Sequence, residues 1–200
     1  MGRLIFQIAE LIYKFIALNI LWLLFFLLGL GVFGFMPSTV ALFAVIREWL
    51  KGEKHAPLFS SYFKFFKAEF VRSNLIGIFF LILFYIIYVN FLFVSHFYTE
   101  SIQIFIYIII FFFAVTALMT FLNIFSIMAH FEYKTWKYIK AAAGLVFLNP
   151  LKTFFQIIWV IAYILIAVNF PKTFTAIGVS VFAYILMSIN YATFKKHDAV

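Results

Sequence analysis

Two hundred residues with 67% hydrophobic side chains, 11% charged residues and no cysteine exclude an ordinary water-soluble domain, a disulfide scaffold and thiol chemistry. With 24% aromatics the chain also carries too much apolar surface to stay unfolded in water. The composition is that of an integral membrane protein, expected to be an all-α, polytopic transmembrane helical bundle forming a single domain over residues 1–200, around which a net charge of +8 must be arranged.

An ion at mid-bilayer costs roughly 3 kcal/mol, so stretches free of Lys, Arg, Asp and Glu locate the crossings. The chain starts with Arg3, Gln7, Glu10 and Lys14, a polar stripe at helical spacing on an otherwise apolar segment. A charge-free run follows over residues 15–46. As one helix it would be about 48 Å long, too long for one upright span and short for two. Gly29, Gly31 and Gly34 favour a bend, Pro37 is placed to be the first residue of a new helix, and Gly52 is placed to end it. The expected spans are therefore 15–34 and a short or re-entrant 37–51.

Next come Phe59, Tyr62, Phe63, Phe66 and Phe70, an apolar stripe with Ser60, Lys64 and Lys67 on the other face, expected to be a separate amphipathic helix at the cytoplasmic interface. Its polar face either lies on anionic lipid or docks a partner. Spans are expected over 74–98 and 102–130, the latter with Thr116, Thr120 and Asn123 on one inward face together with Asn19 of the first span as candidate interior polar residues. That face serves either interhelical hydrogen bonding or a polar substrate path. A second basic segment, Lys134, Lys137 and Lys140, leads to Asn149-Pro150, where residues 141–151 are too short to cross and read as an interfacial entry. Spans 153–170 and 173–193 complete a count of five to six crossings. The block Tyr62-Phe63-Lys64-Phe65-Phe66-Lys67 is echoed by Thr135-Trp136-Lys137-Tyr138-Ile139-Lys140, which either reflects an internal duplication or chance in a chain this rich in Phe and Ile.

Basic residues set the orientation. If the spans pair, every Lys and Arg except Lys172 falls on one side, and the opposite connections shrink to Thr99-Glu100-Ser101 and Phe170-Pro171-Lys172. Both termini are then cytoplasmic with six crossings; an outside N-terminus with five is the alternative. The first run lacks the exit of a cleavable signal peptide and is expected to remain as an anchor. The positive charge is thus accounted for by topology, and no nucleic-acid partner is expected.

Motifs of chemistry are scarce. Gly29-Leu30-Gly31-Val32-Phe33-Gly34 matches a dinucleotide-binding string but lies in a hydrophobic span with no βαβ unit, so it reads as close helix packing. His130 and Glu132 are about 200° apart on a helix, and His55, His96 and His197 have no ligand-spaced companions. No catalytic residue, metal site or cofactor is expected, and no enzyme activity. Further polar residues in the spans are Ser126, Gln156, Ser180 and Asn190. Trp22, Trp49, Trp136 and Trp159 serve either as interfacial anchors or as sugar-stacking surfaces.

Three segments carry a family resemblance: Leu18-Asn19-Ile20-Leu21-Trp22, then Pro37-Ser38-Thr39-Val40-Ala41-Leu42-Phe43-Ala44-Val45, then Arg47-Glu48-Trp49-Leu50-Lys51-Gly52-Glu53. With the Tyr62-to-Lys67 block, in the stretch from Asn19 to Asn74, they resemble the YesL family of bacterial multi-spanning membrane proteins, a domain of unknown function. The chain departs from it in lacking a threonine before Pro37 and in carrying Ser38 where alanine is common. The resemblance implies a multi-pass protein of the bacterial cytoplasmic membrane, in a family whose genes often accompany carbohydrate ABC transporters. It implies an accessory, assembly or regulatory role in carbohydrate uptake; a small uncoupled permease or channel, working alone or as a homo-oligomer, is the alternative. The surface for lipid or partner is then Lys64, Lys67, Lys134, Lys137 and Lys140.

Overall fold

Inside a bilayer each backbone N–H and C=O must find its partner within the protein, which makes uninterrupted apolar runs helical. The computed structural model describes residues 2–53 and 57–197 as seven helices, with no strand among them: α1 Gly2–Leu28, α2 Val32–Lys51, α3 Leu58–Phe97, α4 Glu100–His130, α5 Thr135–Leu148, α6 Pro150–Asn169 and α7 Pro171–His197. All but α5 are long and apolar enough to cross a membrane. Lys54 and His55 lie outside the described residues, as do the side chains of Arg3, Gln7, Lys196 and His197. Of the polar stripe on α1, Glu10 and Lys14 form an ion pair at 2.6 Å.

The bend between α1 and α2 is tight. Leu30 and Gly31 both have positive φ, and the backbones then come together so closely that a Cβ on Gly34 would sit 2.2 Å from the Phe26 carbonyl oxygen. The glycine string is a packing device, as expected. Pro37 does not open α2, however. The helix starts at Val32 and Pro37 lies inside it, so the Phe33 carbonyl loses the N–H that would normally reach it from four residues on. The Asn74 side chain supplies the replacement from α3, donating to Phe33 O at 3.0 Å. Around it Ser38 Oγ donates to Gly34 O (2.6 Å) and Thr39 Oγ1 to Phe35 O (2.7 Å). Gly52, at φ 101°, ends the helix and returns its N–H to Glu48 and Trp49, as its position predicts.

The amphipathic segment before residue 73 is not a separate helix. It is the first part of α3, whose 40 residues run about 60 Å without a break. No glycine or proline occurs between Leu58 and Ile76, and the charges used to separate the two segments have no power to interrupt a helix. Nor does its aromatic stripe lie only on lipid: the Phe25 ring of α1 packs among Phe59, Tyr62, Phe63 and Phe66 at centroid distances of 5.9, 5.1, 6.0 and 4.9 Å. The turn after α1 therefore rests near Asn74 and the basic start of α3.

The core is built around α2, which packs on α1, α3, α4 and α7 and buries every residue from Met36 to Ile46. Helix α4 ends at His130, whose ring packs on Phe131, Tyr191 and Phe194. Short α5 folds back on α4, held by Tyr138, whose hydroxyl accepts from Tyr133 N (3.0 Å) and donates to Phe131 O (3.1 Å). The chain breaks at Asn149, and Pro150 takes the first position of α6.

Candidate functional site

Four polar side chains converge where α4, α6 and α7 meet. Asn123 and Ser126 are one turn apart on α4, Gln156 comes from α6 and Asn190 from α7, and none is more than 3% exposed. Gln156 Nε2 donates to Asn123 Oδ1 (3.0 Å) and to Asn190 Oδ1 (2.9 Å). Asn190 Nδ2 donates to Asn123 Oδ1 (2.7 Å) and to Ser126 Oγ (2.9 Å). Asn123 Nδ2 closes the ring on Gln156 Oε1 at 3.1 Å.

This is a neutral network with both amide protons of Gln156 and Asn190 engaged. Such groups in hydrocarbon hold helices in register because sliding any helix by a turn would strand several donors at once. One turn before Gln156 along α6, the Lys152 ammonium donates to Thr193 Oγ1 of α7, so the same helix pair is tied twice.

Of the expected interior residues, Asn123 joins the network and the others do not. Thr120 turns its hydroxyl back to Thr116 O on its own helix at 2.8 Å, and Thr116 is half-buried. The spacing placed all three on one face; that face continues with Ser126 into the network. Asn19 serves a different joint. Its Nδ2 donates to Thr175 O (2.7 Å), its Oδ1 accepts from Ser180 N (3.3 Å), and Ser180 Oγ reaches Phe15 O (2.9 Å), pinning α1 to α7. Gln156 and Asn190 were visible in the sequence as isolated polar residues, but nothing within either helix ties one to the other. Only their lone occurrence in charge-free runs marked them.

The expected basic surface is outward. Lys64, Lys67, Lys134, Lys137 and Lys140 are all exposed, the first two on α3 and the others at the start of α5. Lys137 holds its ammonium 4.2 Å from the Tyr133 ring centre, a cation–π arrangement. Near them Arg72 pairs with Glu69 at 2.7 Å and donates to Tyr133 O at 3.5 Å, linking α3 to the α4–α5 connection. The tryptophans are scattered. Trp22 Nε1 donates to Thr39 Oγ1 (3.0 Å), Trp49 packs on Phe15, Trp136 on Phe79 and Trp159 on Tyr163. They do not gather into one stacking surface. Among the described residues, no three of His, Asp and Glu come together at metal-binding distance.

Comparison with known proteins places this architecture. The family model described as "Protein of unknown function, DUF624" matches residues 15–91, which hold the α1–α2 bend, Pro37 and Asn74. The chain is 33% identical over 198 residues to "Uncharacterized protein YteU" of Bacillus subtilis (strain 168), covering 98% of this chain and 87% of that one. It is 32% identical to "Uncharacterized protein YesV" (96% and 91% covered) and 31% identical to "Uncharacterized protein YesL" (90% and 85% covered), both of the same organism. No solved structure matches with significance.

Proposed function

The chain belongs to the DUF624 family of multi-pass helical membrane proteins, and from that premise we propose that it is a non-catalytic accessory, assembly or regulatory component of a carbohydrate uptake system in the bacterial cytoplasmic membrane. The link to sugar uptake rests on the family resemblance. One observation of the structure supports an accessory role over a conduit. The interior amides of Asn123, Gln156 and Asn190 bond one another across three helices, whereas the exposed lysines Lys64 and Lys67 stand at the start of α3. A solute path needs interior polar groups that can exchange partners with the solute; a docking protein needs polar groups outside.

In this reading the Lys64–Lys67 face and the C-terminus are cytoplasmic, and the face meets a transporter subunit. Crosslinking in the native membrane followed by mass identification tests it. A transporter component captured by wild type and released by Lys64→Glu with Lys67→Glu supports the reading, while self-crosslinks alone point to a homo-oligomer. Purified protein that passes a saccharide across sealed liposomes without a partner would establish the permease instead. Labelling of Lys64→Cys by an impermeant thiol reagent in intact cells would overturn the orientation.

A further inference from the structure

Along α5 one stripe changes character. Lys137 and Lys140 open it, Ala141, Gly144 and Leu145 continue it, and Leu148 with Asn149 closes it, a spacing that keeps them on one side of the helix. These residues, with Tyr133, line an open groove of about 740 Å³. From Lys137 to Leu148 the stripe is about 16 Å long, cationic at one end and apolar at the other. The apolar end runs into hydrophobic surface: Phe147, Leu148 and Leu151 are 61%, 82% and 69% exposed. At the cationic end Tyr133 already holds the Lys137 ammonium in place, and the floor is open at Gly144, where a Cβ would meet nothing within 4 Å.

We propose that this groove is a binding site for one anionic phospholipid, its phosphate between Lys137 and Lys140 and an acyl chain laid over Ala141, Gly144, Leu145 and Leu148. The occupant follows from charge and polarity together. A phosphate alone has no use for the apolar length, a zwitterionic lipid gains less from two ammonium groups, and the exposed Phe147, Leu148 and Leu151 beside the groove suit an acyl chain. Glu132 is the nearby acid on the same connection, exposed and beyond the groove. The proposal is independent of the accessory reading, which rests on Lys64 and Lys67.

The test is native mass spectrometry of the detergent-purified full chain after exchange into micelles containing phosphatidylglycerol or phosphatidylcholine. Wild type should keep one phosphatidylglycerol and release phosphatidylcholine. Lys137→Gln with Lys140→Gln should lose retention about tenfold or more. Gly144→Leu should lose it too, by filling the floor from within, and since leucine is the better helix former the fold should be retained, as helical content and elution volume will show. Gly144→Ala, which leaves most of the groove open, and Lys64→Gln with Lys67→Gln should both retain the lipid. Equal retention of the two lipids, or equal loss in the Lys64/Lys67 variant, would reduce the effect to bulk charge and overturn the proposal. So would displacement of the lipid by inorganic phosphate, or a polypeptide found in the groove and expelled by Gly144→Leu.

Discussion

Helices α2 and α6 have the same length, 20 residues, and opposite fates. Helix α2 buries twelve residues, whereas α6 buries one, Gln156. Yet the membrane-length stretch of α2 is less apolar than that of α6 or of any other long helix. In water the ranking would be inverted, since burial follows hydrophobicity there. In lipid an isoleucine loses nothing by facing outward, and what seeks the interior is a small side chain that lets backbones approach or a polar one that needs a partner. Gly34, Ser38, Thr39, Ala41 and Ala44 take α2 inside for those reasons. Gln156 does the same for α6, with Lys152 adding a second polar tie one turn earlier.

The largest effect should come from closing the approach that α2 depends on. Gly34→Ala puts a methyl into the Phe26 carbonyl, so that backbone must shift, and should cost about 3 kcal/mol, read as loss of folded protein in reversible unfolding from detergent. Next, Gln156→Leu leaves amide groups of Asn123 and Asn190 unpaired and should cost about 1–3 kcal/mol by the same measurement. Adding Asn123→Leu and Asn190→Leu should recover part of that loss; if the triple variant were instead the sum of three independent penalties, the network would not be acting as a unit.

Much of this contrast was closed to sequence reading. Charge gaps located the apolar helices and Gly52 marked the end of α2, because those signals are local. Which polar residues would meet was not local: Gln156 finds Asn123 and Asn190 across 33 and 34 residues, and no periodicity encodes that. The start of α2 was misplaced for a related reason. Proline inside a helix is excluded by a missing hydrogen bond, and here Asn74, 41 residues from Phe33, provides one. Helix α3 runs on through Lys64, Lys67, Glu69 and Arg72 because charge does not interrupt a helix and no glycine or proline is there to do so.

A smaller change sharpens the comparison within α2. Tyr62→Phe removes the hydroxyl that donates to Ser38 O at 2.7 Å while keeping the ring against Phe25, and should cost about 1 kcal/mol. Smallest of all, Ile161→Ala on the lipid face of α6 should shift stability by no more than about 0.5 kcal/mol. A cost of 2 kcal/mol there would mean that α6 has a neighbour in the membrane and that its exposed face is an interface.

The hydrogen bond from Asn74 to Phe33 also has a schedule. A ribosome makes the acceptor first and must add some forty residues before the donor exists, so the α1–α2 hairpin leaves the exit tunnel with a carbonyl that its own proline has disarmed. The hairpin is a promissory structure, complete only when α3 arrives. A nascent chain halted before Asn74 should therefore be extractable or protease-sensitive in its first two helices, and one halted after α3 has emerged should not. The insertion machinery would then have to shelter the first hairpin for the seconds that translation needs.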